Sequence, residues 1–441
     1  MNGFWNMIGE SEKRGKYETN FFHMYIYEDI GNNEVYELDS GIKGTFMHEY
    51  LHYLQFISTL FGISYGIMSN KYYKYCIKYF EEHQNIEIPL NIKSLYPEMD
   101  KSKESYNALK GSNKIAINID KIEVNENNIL EAEKKKTGVD VLGINTKTKE
   151  TELFTFGYLC IIESMADIFQ SFFDSKTEHS EIPYKSVHII CKNYLPDFAD
   201  DRKLLFSICL CALMHKNPAC GFFKVLEIVR QNPEMDGTML YKHILEESDL
   251  RHISCKTLKE LSLKFITNYQ LKIETAIGSN LDYFSMVFEN CILEINSGES
   301  ILLKLLYETD INSQESMKLL LDFYGLPFIE GRDIALLGNT ANDKKTQYND
   351  IALLYGLEMV INRVIPSINA GEYPIYDTKC PMYDKCNKSL YINEPSSNKM
   401  TKDCENKQWE KNEICLMTQA LKRYKLYNKN IIQKSLPEDM Q

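Results

Sequence analysis

The chain of 441 residues has no apolar run long enough to cross a bilayer. Its longest apolar stretch, Leu204–Met214, has eleven residues, well short of the roughly 20 that a spanning helix needs. The first twenty residues, MNGFWNMIGESEKRGKYETN, lack the basic stretch followed by an apolar one that marks an export signal. Positive charge is in deficit as well: 50 Lys and Arg stand against 62 Asp and Glu, a formal net charge of −12. That balance excludes broad nucleic-acid binding through a basic surface. No repeat of fixed period is present. These absences lead to the expectation of a cytoplasmic protein that does not enter membranes.

What remains is the composition of a globular protein, 44% hydrophobic and 25% charged, with ample apolar material for a core. At roughly 150 residues per domain, two or three units are expected. Phe21–Glu28 (FFHMYIYE) and Glu34–Leu38 read as strands around the turn Gly31-Asn32-Asn33. Apolar residues at Phe46, Met47, Tyr50, Leu51, Leu54 and Ile57 recur with helical spacing and predict a helix over about 44–60. A second amphipathic helix is expected at 70–83. Residues 96–136 are polar and charge-mixed and read as a solvated insertion. Val139–Asn145 and Glu150–Phe156 form a predicted hairpin before a helix at 157–173. From there to about 367 nearly everything reads as helix, with breaks at Pro183, Pro196, Pro218, Pro233 and Pro327. The expected fold class is therefore α+β and predominantly helical. A core with a small sheet would occupy 1–175, a helical domain 176–370 and a cysteine-bearing segment 371–441.

The stretch richest in chemistry is Thr45-Phe46-Met47-His48-Glu49-Tyr50-Leu51-His52-Tyr53-Leu54-Gln55. Residues four apart on a helix lie one above the other, about 5–6 Å between β-carbons, so His48 and His52 are placed to bind one Zn²⁺. Glu49 lies beside them as a candidate general base. Thr45, His48, His52 and Gln55 make a polar seam on an otherwise apolar helix, and a buried seam needs partners. A third ligand is required. The continuation Tyr53–Ser58 carries no further histidine, which excludes the metzincin pattern. Glu163 is the leading candidate because it interrupts the apolar run before it, with Asp167 one turn further along the same face. Glu81, Glu82, His83, His179 and His188 are rivals.

His48-Glu49-Tyr50-Leu51-His52 together with Glu163-Ser164-Met165-Ala166-Asp167 resembles the gluzincin branch of the zinc metallopeptidases. The resemblance implies a zincin-like core in residues 1–175, with His48, His52 and Glu163 on zinc and Glu49 as the base. It further implies that Asp167 hydrogen-bonds a ligand histidine. The separation of His52 from Glu163 is longer than in well-known members, so 96–136 and the hairpin would be an insertion between the two metal helices. A donor to the developing oxyanion is open among Tyr158, His179, Tyr184, His188 and His215.

A second constellation is Cys380, Cys386, Cys404 and Cys415, in a tail poor in apolar residues. A second structural Zn²⁺, an iron–sulfur cluster, unligated thiols and disulfides are all open there. The expected function is zinc-dependent hydrolysis of peptide bonds, with a protein or peptide substrate and a regulatory protein partner. The alternatives are an inactive zincin-like scaffold or protein-binding module, and a metal hydrolase acting on another bond.

Overall fold

The computed structural model describes residues 14–30, 34–88, 90, 97–247, 255–331, 335–336 and 344–361, and in the tail 380, 383, 401–406, 411 and 414–433. The described residues are mostly helical and form three small sheets. No helix among the described residues is long and apolar enough to cross a membrane.

At the centre stands α1 (Ser40–Ser58), in which every residue from Gly44 to Ile57 is buried. A helix apolar on nearly all sides has no solvent face and must be covered all round. Three neighbours cover it: α2 (Leu60–Glu82), the helix Asp282–Ser297 and, further along the chain, Tyr158–Gln170. Thr59 separates α1 from α2. It is extended, donates its hydroxyl to Gln55 O at 2.6 Å and accepts Gly62 N–H at 3.2 Å, ending one helix and capping the next. Tyr50 and Tyr53 reach out of α1 to the carbonyls of Gly325 and Tyr324, at 2.8 and 2.9 Å. Their hydroxyls are thus satisfied inside the core.

The remaining side of α1 is closed by a sheet of strand order β1-β2-β7-β8, comprising β1 (Gly15–Glu18), β2 (His23–Ile26), β7 (Phe328–Glu330) and β8 (Ala335–Leu336). β1 pairs antiparallel with β2, and β2 pairs parallel with β7, His23 opposite Phe328. Elements before and after residue 175 therefore share one sheet and one core. Two strands, β3 (Asn85–Ile88) and β9 (Asn430–Gln433), pair in parallel and tie the tail to the end of α2.

Residues 97–156, between the two candidate metal helices, form a folded unit. It comprises α3 (Pro97–Lys110), β4 (Lys121–Glu123), α4 (Glu126–Lys135), β5 (Val139–Ile144) and β6 (Thr151–Phe156), the three strands forming an antiparallel sheet. The hairpin falls where its alternating pattern predicts. After it comes α5 (Tyr158–Gln170). Two local expectations differ. Residues 35–37 form a single 3₁₀ turn in place of a strand. The long helix expected at 299–324 is two, Ile301–Glu308 and Gln314–Tyr324, because Ser313 caps the second by accepting Ser316 N–H.

His23, which reads from sequence as an ordinary histidine in a strand, is fully buried between two carboxylates. Nδ1 lies 2.7 Å from Glu358 of the helix Lys344–Met359, and Nε2 lies 3.3 Å from Glu330 of β7. Burial alone lowers its pKa, but the two carboxylates outweigh burial and raise it above 6.5. A group raised in this way stabilises the fold fully below its unfolded value, and the contribution disappears as pH rises through the folded value. Thermal melts of the wild type should therefore drop in midpoint as pH rises above about 6.5, and His23→Gln should flatten that dependence. A His23→Gln melt with the wild-type pH profile would show that the pairs do not contribute.

Candidate metal centre

α1 and α5 pack side by side, and the site lies between them. His48 and His52 present their Nε2 atoms to one carboxylate oxygen of Glu163, at 3.5 and 3.7 Å. One ligand atom from each of the three residues falls within 4.8 Å of the others, and all three residues are buried. No other group of His, Cys, Asp and Glu among the described residues converges in this way.

The residues present fit a metal ion. Neither carboxylate oxygen of Glu163 takes part in a hydrogen bond, and neither does Nε2 of His52, although each is buried. Buried polar atoms left this way cost free energy unless something else satisfies them. A divalent cation would satisfy all three at once, and the set of two imidazoles and one carboxylate suits zinc. The electrostatics agree. Burial works to raise the Glu163 pKa, yet His52 and His48 together hold it well below the usual carboxylate range. Burial works to lower that of His52, yet Glu163 lifts it to about 9. The pocket favours positive charge beside Glu163.

Two glutamines orient the histidines. Gln55 donates its amide N–H to the Ile162 carbonyl at 3.0 Å, and its Oε1 lies 2.9 Å from His52 Nδ1. Since a carbonyl only accepts, the amide orientation is set, Nδ1 donates its proton to Oε1, and Nε2 is the nitrogen that a metal would take. His48 Nδ1 lies 2.9 Å from Gln170 Oε1. This corrects the expectation for Asp167. Asp167 lies on the same helix face, but its nearest imidazole is His179, with Nε2 3.9 Å from Oδ1. Gln170, three residues further on, fills the place beside His48. Burial raises the Asp167 pKa to about 6 and lowers that of His179 to about 4, so at neutral pH His179 carries no charge for Asp167 to pair with.

Glu49, 6% exposed, lies against β1: a β-carbon on Gly15 would stand 2.6 Å from Glu49 Cγ. Only glycine leaves room for that side chain. Of the five oxyanion candidates, the structure brings two to the site. The His179 ring centroid lies 5.7 Å from that of His48, and Tyr184 stacks on His179 at 4.5 Å and lies 6.2 Å from His48. Tyr158 packs on Phe61, His188 faces Asp200 and His215 faces Glu247. The rival ligands Glu81, Glu82 and His83 are exposed at the end of α2.

The tail cysteines do not assemble a second centre among the described residues. Cys380 and Cys404 are joined by a backbone hydrogen bond of 2.7 Å, and the Lys411 ammonium lies 3.3 Å from Cys404 Sγ. Cys415 Sγ caps the helix Leu416–Arg423, accepting Thr418 N–H at 3.4 Å. Cys386 lies outside the described residues. Comparison with family models, curated proteins and solved structures finds no match.

Elemental analysis of zinc-supplied protein should find about one equivalent per chain, lost in His48→Ala, His52→Ala and Glu163→Ala. Cys415→Ser should keep it. Zinc that persists in Glu163→Ala would remove Glu163 from the ligand set.

Proposed function

We propose that the chain is a zinc-dependent hydrolase that cleaves peptide bonds, of gluzincin type in its ligand arrangement. The observation carrying this reading is the convergence of His48, His52 and Glu163 in one buried cluster, with Glu49 next in sequence to the first ligand. A helix of this pattern meeting a carboxylate from a second helix leaves room for a fourth, exchangeable position, which a purely structural zinc site does not need. The zincin-like core, the hydrolytic activity and the peptide substrate belong to this reading.

When bound, zinc supplies Lewis acidity at the scissile carbonyl and acidifies water beside it. The chain's own residues do the rest. Glu49 takes the proton of the attacking water and passes it to the leaving nitrogen. Gln55 and Gln170 hold the two imidazoles so that Nε2 of each faces inward. His179 and Tyr184 flank the site beside His48, where charge develops on the carbonyl oxygen. His48, Glu49, His52 and Glu163 are only 7, 6, 2 and 1% exposed, so water is largely kept from the reacting groups.

Glu49→Gln tests the reading, since it preserves shape and removes the base. Zinc content should be unchanged, while kcat on a peptide library falls by about 10²–10⁴-fold. Undiminished turnover in Glu49→Gln would defeat the proposed mechanism. An inactive scaffold predicts instead that no peptide is cut by the wild type and that the biological activity survives the substitution.

A further inference from the structure

One oxygen atom, Oε1 of Gln170, lies 2.9 Å from His48 Nδ1 and 3.1 Å from His179 Nε2. We propose that Gln170 is the positioning residue of the metal centre, its amide oxygen fixing the tautomers of His48 and His179 together. The inference rests on the metal reading of His48, His52 and Glu163, and not on which bond is cleaved.

An amide oxygen has two lone pairs and no proton, so each nitrogen facing it must be an N–H. On His48 this places the proton on Nδ1 and turns a bare Nε2 toward Glu163 and the metal. On His179 it places the proton on Nε2, and in the neutral imidazole Nδ1 is then bare. Metal on His48 and the protonation pattern of His179 become one linked state, carried by a single amide.

The surrounding chain is built to hold that amide in place. Gln170 is 4% exposed and stands two turns beyond Glu163 on α5. Gly44, one turn before His48, gives it room: a β-carbon there would lie 2.7 Å from Asp174 Cβ and 3.3 Å from Gln170 Cγ. Asp174 donates its N–H to the Gln170 carbonyl at 2.9 Å, and its carboxylate accepts from Thr177 Oγ1 at 2.5 Å and Lys176 N–H at 3.0 Å. These bonds fold the chain back so that His179 returns to the residue that started the turn. The amide is also neutral. A carboxylate in its place would add negative charge beside a site that already carries Glu163.

The test uses the full chain with Gln170→Leu, which keeps the volume and removes both hydrogen bonds, and Gln170→Glu, which keeps both acceptors. Zinc affinity is measured by chelator competition. Histidine tautomers are read from long-range ¹H–¹⁵N spectra of zinc-loaded protein labelled in histidine. Gln170→Leu should bind zinc about 10–100-fold more weakly and lose the single Nε2–H form of His179. Gln170→Glu should stay within a few-fold of wild type in affinity and keep that form. Should Gln170→Leu fail to fold, Gln170→Asn keeps a neutral amide but draws it back by one methylene from His48 and His179, and should give the same loss. Gln170→Leu with wild-type affinity, or wild-type His179 protonated on Nδ1, would overturn the proposal. Wild-type protein that takes up no zinc would instead overturn the metal reading itself.

Discussion

A carboxylate cannot be buried between two helices without a source of positive charge, and Glu163 is buried to 1% of its surface. Around this requirement the rest of the site is arranged. His48 and His52 come from one face of α1, one turn apart. Gln55 ties that face to the backbone beside Glu163, and Gln170 ties it to the end of α5. The central helix accommodates this polar seam only because its other sides are covered by sheet and helices. The apolar packing makes the pocket dry, and the dry pocket makes Glu163 and its partners depend on one another.

Much of the site was legible in the sequence because its rules are local. The i, i+4 spacing puts two imidazoles on one face whatever lies around them. Glu163 stood out because a charge in the middle of Tyr158–Ile162 and Met165 has to be answered by something. Asp167 and Gln170 lie on the same face, four and seven residues beyond Glu163, and spacing alone does not choose between them. The choice depends on how far α5 runs past α1, where the absence of a side chain on Gly44 leaves room for Gln170 and Asp174. The proximity of His179 and Tyr184 was equally hidden, since it depends on the path of the chain after α5.

The fold divides in the same way. Helices and the Val139–Phe156 hairpin followed from periodicity. The pairing of β2 with β7 did not, because no local pattern announces a partner some three hundred residues away. Residues 35–37 carry strand-like side chains but find no neighbouring strand, and settle as a 3₁₀ turn. The break between Glu308 and Gln314 is a capping event inside an apolar stripe that continues on both sides, so the stripe suggested one helix where there are two. The segment 97–156 is polar at its surface and still orders a sheet and two helices.

That long-range strand pairing also governs when the protein becomes itself. During synthesis α1 leaves the ribosome ahead of its partners, with two histidines and a wide apolar surface, while Glu163 follows more than a hundred residues later. β7, which closes the sheet over α1, comes later still. Loop-closure entropy must be met before either contact forms, so the nascent chain carries an uncovered core helix until both partners have emerged. Fragments ending before Phe328 would keep β2 as an open edge, the kind of surface on which chains pair with one another instead of with themselves. A metal held by His48, His52 and Glu163 would be captured only after the two halves of that ligand set have met.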